Sequence, residues 1–97
     1  MNAVAGAAPA AYDPHRVRAD FPLLARRING RPLAYLDSAA STPRPQPVLD
    51  AVTHYETQLH SNVHRGVHTL SQLATDAFEA SRERVRRFLN AASTREI

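Results

Sequence analysis

Between Thr69 and Asn90 small and apolar side chains keep returning to one face. Leu70, Ala74, Ala77, Phe78, Ser81, Val85 and Phe88 hold helical spacing through about five turns. A helix gains most of its stability in a protein from packing such a face, so this stripe needs cover. Thr69-x-x-Gln72 spells a capping box at its start, with threonine hydroxyl and glutamine amide satisfying end amides reciprocally. Glu83 precedes Arg87 by four residues, the favourable order for an ion pair. Arg86 and Arg87 suit the negative end of the helix dipole, and Asn90 is a natural stop.

A second stripe precedes it. Val48, Val52, Tyr55 and Leu59 predict a helix that begins around Pro47 and runs on through Leu59. Pro43, Pro45 and Pro47 alternate just before, which pushes Thr42, Arg44 and Gln46 toward extended geometry. Further back, Asp13-Pro14 is a helix entry with an acceptor at the cap and proline in the first turn. Pro22 keeps that helix short, with Val17, Phe21 and Leu24 as its anchors. Asn29-Gly30 is a strong hairpin signal, with Ile28 before it and Leu33-Ala34-Tyr35-Leu36 following as a short strand. Pro32 lacks a ladder donor and confines this hairpin to a sheet edge. The pattern predicts a mainly α chain: a short first helix, a small edge hairpin and two longer amphipathic helices. Residues 1–12 read as a disordered tail and 13–97 as the structured segment.

Composition bounds what such a chain can do. Its 97 residues allow one small domain at most, and 17 of the hydrophobic residues are alanine. Small chains bury a smaller share of their surface, and without cysteine no disulfide compensates. Marginal stability is expected of the chain alone. The net charge is +3 and every basic residue is arginine, interspersed with nine carboxylates. Nucleic-acid binders carry a clustered basic patch, and only pairs such as Arg26-Arg27 and Arg86-Arg87 occur, which argues against that class. No apolar run approaches the roughly 20 residues of a membrane span, and residues 1–11 lack the basic start of a secretory signal. The absence of cysteine fits a cytoplasmic protein.

The residues with chemistry gather in Asn62–Ser71, where two histidines, an arginine and a glycine fall within five positions. A loop between two helices presents polar groups from a rigid support. Arg65 offers a planar fork suited to a carboxylate or phosphate, and Gly66 permits a turn that aims it. His64 beside it can hydrogen-bond or relay a proton near neutral pH. His60, His64 and His68 lie at i, i+4 and i+8, a metal-ligand spacing if they shared one helix. Gly66 and the loop around it scatter them, so no metal site is expected. His54 and His60 read as solvated surface residues. Asp37–Thr42 carries only small side chains after its aspartate, which lets a ligand or a neighbouring helix approach the backbone.

Three stretches together resemble the Suf-type cysteine desulfurases of the class V aminotransferase family. They are Arg18-Ala-Asp20-Phe21-Pro22-Leu-Leu24, Leu33-Ala-Tyr-Leu-Asp37-Ser-Ala-Ala40-Ser-Thr-Pro-Arg-Pro45 and Asn62-Val-His-Arg-Gly-Val-His-Thr-Leu-Ser71, in the family's order. The resemblance implies the start of a pyridoxal 5'-phosphate (PLP) fold type I, aspartate-aminotransferase-like α/β subunit. It further implies a homodimer that takes sulfur from L-cysteine as a cysteine persulfide, releases L-alanine, and passes the sulfur to an acceptor protein for iron–sulfur cluster assembly. By that resemblance Ala39 and Ala40 line the substrate pocket by their backbone, with His64 in the same pocket and Arg65 beside it near the dimer contact. The family's cofactor-bonding lysine and persulfide cysteine have no counterpart, since neither residue type occurs in the sequence.

No catalytic, cofactor-binding or metal-binding residue is therefore assigned, and the 97-residue chain is expected to be inactive alone. Ser93-Thr-Arg-Glu96 spells a second helix start with only Ile97 beyond it, the pattern of a truncated chain. Two alternatives stay open on the sequence: another class V PLP enzyme such as a selenocysteine lyase, or a small helical interaction module without catalysis.

Overall fold

The computed structural model describes residues 10–97; a disordered tail over 1–12 therefore falls mostly outside the described residues. The chain divides into two compact units, one ending at Leu49 and the other covering Asp50–Ile97.

In the first unit, Asp13 accepts a hydrogen bond from the His15 amide at 3.0 Å and opens helix α1, Pro14–Arg18. The Asp13 carboxylate thus satisfies one of the free amides of the first turn. Pro22 starts a 3-10 turn, Pro22–Ala25, in which Leu24 is half-buried, as is Phe21 before it. Val17, at 40% exposed, is the weaker anchor of the three. The Arg18 guanidinium donates to the carbonyls of Leu33 at 3.1 Å and Leu24 at 3.4 Å, tying this turn to the far side of the hairpin. The hairpin joins β1 (Arg27–Ile28) to β2 (Arg31–Pro32), antiparallel, with Arg27 opposite Pro32 and Ile28 opposite Arg31. Asn29 at φ 50° and Gly30 at φ 74° supply the two left-handed residues a tight two-residue turn requires.

The strand expected at Leu33–Leu36 does not form. β2 is Arg31–Pro32, and the ladder is extended only by the Leu33 amide donating to Arg26 O at 3.1 Å. Beyond that point no described strand pairs with the segment, and Leu36 stands 94% exposed. Alternation of side chains does not make a strand without a neighbour to accept its amides.

The helix beginning near Pro47 is α2, Gln46–His54, its first amide bonded to Asp20 O at 2.7 Å. It does not run through Leu59 as one α-helix. Tyr55–Leu59 widens into a π-helical turn. Thr57 Oγ1 bonds back to Thr53 O at 2.7 Å there, the kind of hydroxyl contact that competes with the regular ladder. Tyr55 and Leu59 are half-buried, and this turn packs on the long helix α3, Thr69–Leu89.

The start of α3 corrects the capping box. The N-cap is His68, whose Nδ1 accepts from the Ser71 amide at 3.3 Å, and Thr69 is the first helical residue. The Gln72 side chain, freed from capping, donates to Asp76 Oδ1 at 2.9 Å. The shift follows from His68 taking the extended backbone (φ −100°, ψ 165°) of a cap position. At the other end Asn90 takes the left-handed conformation (φ 56°, ψ 37°) and Ala91 N returns to Arg86 O at 2.9 Å. That closes the helix as anticipated. Ser93 accepts from the Arg95 amide at 3.2 Å and Glu96 from the Ala92 amide at 3.0 Å, which holds a 3-10 turn, Thr94–Glu96.

Little is enclosed. Among the described residues Ser71 and Ala74 are fully buried, each 1% exposed, while Val52 is 57% and Phe88 90% exposed. The stripes exist, but their faces are open. No helix among the described residues is long and apolar enough to cross a membrane.

The last turns of α3 carry an electrostatic clasp. Arg86 grips Glu83 with two nitrogens at 2.7 and 2.8 Å, and Arg87 Nε adds a bond at 3.1 Å. Hydrogen bonds from Arg86, then Arg87, hold the Glu83 carboxyl down to about 2 from its ordinary 4.5, and Glu83 in turn pushes Arg86 up. Because the folded value is depressed, the clasp's stabilisation is complete above about pH 4.5 and is lost as pH falls toward 2. Circular dichroism at 222 nm should show more helix in the native chain than in Glu83→Gln at neutral pH. That difference should vanish as both are titrated to about pH 2; a constant gap would show the clasp contributes nothing.

Candidate functional site

After the π turn the chain passes through His60 and bends back along α3, and α3 itself holds the bend. Ser71 Oγ donates to Asn62 O at 2.7 Å and accepts from the Gly66 amide at 2.9 Å, joining both ends of the loop through one buried atom. One turn later Thr75 Oγ1 accepts from the His64 amide at 2.9 Å. One turn later again, Glu79 Oε1 meets His64 Nε2 at 2.7 Å. Residues four apart on a helix share a face, so Ser71, Thr75 and Glu79 form a polar ladder whose rungs are this loop's contacts.

His64 sits at φ 66°, the left-handed region, and its ring stands edge-on to Phe78 with centroids 5.6 Å apart. Arg82 lies over the same Phe78 ring at 5.5 Å and reaches Glu79 Oε2 at 3.9 Å. The imidazole is 48% exposed and its carboxylate partner 42%. His64 is thus fixed in orientation yet open to a ligand, with Nδ1 free of any bond to a described residue. Arg65 is exposed and carries no hydrogen bond or ion pair among the described residues, so its fork is available to an anion. Gly66 is required for space: a Cβ there would stand 2.4 Å from Ser71 Cβ and 2.5 Å from its Oγ.

The metal-like spacing of His60, His64 and His68 dissolves into three separate contacts. His60 Nδ1 pairs with Glu56 at 3.6 Å, His64 with Glu79, and His68 Nδ1 with the Ser71 amide. Among the described residues no three histidine or carboxylate side chains gather to hold an ion. His54 is exposed.

Ala39 and Ala40 belong to the first unit. The Asp37 carbonyl accepts from the amides of Ala40 and Ser41, both at 3.1 Å, and Thr42 Oγ1 donates to Ser38 O at 3.2 Å. The Tyr35 hydroxyl closes the turn on Ser41 O. Both alanines are exposed in it. The adjacent shallow cleft, about 250 Å³, is lined by Tyr35, Ser41, Thr42, Pro43, Arg44 and their neighbours but not by Ala39 or Ala40.

Ser71 entered the sequence reading only as the end of the Asn62–Ser71 segment, and Thr75 and Glu79 had no place in it. The signal was there: a polar residue every fourth position beside the apolar stripe, directly after a loop rich in donors.

Residues 34–97 match the aminotransferase class-V family. The chain belongs to that family. It is 55% identical over 86 residues to a cysteine desulfurase of Synechococcus elongatus, covering 89% of this chain and 14% of that protein. It is 57% identical over 86 residues to a cysteine desulfurase of Pectobacterium carotovorum, covering 89% of this chain and 21% of the relative. Among solved structures, the apo cysteine desulfurase of Thermococcus onnurineus matches with a TM-score of 0.70 at 39% identity, over 84% of this chain and 19% of that one. The chain thus spans about a fifth or less of the relatives it matches. PLP is the cofactor of that family, and none of the 97 residues is lysine.

Replacing Ser71 by alanine leaves the Asn62 carbonyl and Gly66 amide without their shared partner, a loss of about 1–3 kcal/mol to the loop. Trypsin cleavage after exposed Arg65 should then accelerate by roughly tenfold or more, and Gly66→Ala should do the same by crowding Ser71. Unchanged cleavage in both variants would mean the ladder does not hold the loop.

Proposed function

We propose that this chain is the N-terminal part of a PLP-dependent cysteine desulfurase that forms an enzyme persulfide from L-cysteine and releases L-alanine. In that reaction the substrate's carbon–sulfur bond breaks, an enzyme thiolate gains a sulfur–sulfur bond, and the substrate carbon takes up the thiol proton. Neither the thiolate nor the cofactor-bonding lysine is among these residues, so the chain's part is to shape the pocket. The exposed backbone turn at Ala39-Ala40 and the held but open His64, with Arg65 next to it, are the pocket-lining groups in this reading. The open apolar faces of α2 and α3 fit packing against the remainder of such an enzyme and its homodimer partner. Delivery of the sulfur to an acceptor protein for iron–sulfur cluster assembly, in the cytoplasm, completes the reading.

What carries it is the loop Asn62–Ser71: a half-exposed imidazole held by Thr75, Phe78 and Glu79 of α3, within 86 residues that are 55–57% identical to cysteine desulfurases. A segment exchange tests it. The matched 86 residues replace their counterpart in the Pectobacterium carotovorum enzyme, and alanine release from L-cysteine is measured. Activity within about threefold of the parent is expected, since most differences should be mild surface changes, while the 97-residue chain alone should release none. A hybrid that folds and takes up PLP yet releases no alanine would refute the proposal, as would alanine release by the chain alone.

A further inference from the structure

We infer that Glu79 is a positioning residue for His64, fixing the imidazole so that Nδ1 is presented as the hydrogen-bond acceptor to a ligand's N–H or S–H group. The geometry leaves one arrangement of a neutral ring. A carboxylate accepts and cannot donate, so the 2.7 Å contact between Glu79 Oε1 and His64 Nε2 requires the proton on Nε2. Nδ1 then holds a lone pair. Two further contacts steady the residue in that arrangement: Thr75 accepts from the His64 amide, and the ring stands at right angles to Phe78. Glu79 is itself steadied from the other side by Arg82, whose guanidinium rests on Phe78. Four side chains of one helix therefore hold one loop histidine with Nε2 on the carboxylate and leave Nδ1 as its unbonded nitrogen.

The ligand this atom suits is a small molecule with an ammonium or thiol hydrogen. Its identification with L-cysteine rests on the desulfurase reading; the ring state does not. In the active segment-exchange enzyme, Glu79→Ala and His64→Gln should each lower kcat/KM by on the order of tenfold or more, the worth of a hydrogen bond to a charged or polarised group. Glu79→Gln keeps an acceptor for Nε2–H and should remain within about threefold of the parent. The deciding measurement is the double variant. If Glu79 acts through His64, adding Glu79→Ala to His64→Gln costs nothing further, whereas a purely structural glutamate gives the full additional loss and overturns the inference.

An inactive unmutated hybrid would refute the desulfurase reading and leave the ring state to be read directly. Imidazole nitrogen-15 shifts of the 97-residue chain, assigned to His64 with the His64→Gln variant, should show a single Nε2-protonated form. That form should give way to mixed tautomers in Glu79→Ala. Identical shifts in the two chains, or a proton on Nδ1 of the neutral ring, would overturn the inference.

Discussion

One buried hydroxyl organises the second unit. Ser71 Oγ takes a hydrogen from the Gly66 amide and gives its own to the Asn62 carbonyl, so two strands of a loop meet at a single atom. Both partners are backbone groups that water would otherwise have to satisfy. Enclosure of Ser71 excludes that water, and in a poorly solvated place each hydrogen bond is stronger and its loss more costly. Gly66 is the complement: it is the one residue that permits Ser71 to come so near. Remove either and the loop has little reason to keep its path, because almost nothing else in the unit is buried.

From this anchor the site is built up the helix. Ser71 sets the loop's ends, Thr75 sets the backbone of His64, and Glu79 sets its ring. Each rung needs the one below, since a carboxylate can orient an imidazole only if the backbone brings it within reach. The pattern places a histidine–carboxylate pair on rigid support while leaving half the ring open. It does so without a large core, through directional bonds spaced by the helix repeat.

Much of the architecture was legible because its signals are local. Asp13-Pro14, Asn29-Gly30 and Asn90 each settle a cap or turn through their own backbone preferences, and each stands where the sequence put it. The misses are places where a neighbour decides. Leu33–Leu36 has the alternation of a strand but no partner to pair with. Thr69 has the spelling of an N-cap, yet His68 takes the position because its ring can also cap and its backbone is extended. The helix through Leu59 loses its regular ladder at a threonine hydroxyl. For the site, His64, Arg65 and Gly66 stood out by composition. Thr75 and Glu79 did not, because on a helix surface they look like ordinary solvated residues until the loop is folded onto them.

Three described residues other than glycine occupy the left-handed region: Asn29, His64 and Asn90. Asparagine tolerates it through its short side chain, and the two asparagines end a strand and a helix. His64 ends nothing. A histidine there gives up about 1 kcal/mol that a glycine would keep, in a unit with little stability to spare. That backbone cost is borne at the one residue of the loop whose ring is held by Glu79 and Phe78, so the bend that costs the backbone also sets the ring against α3.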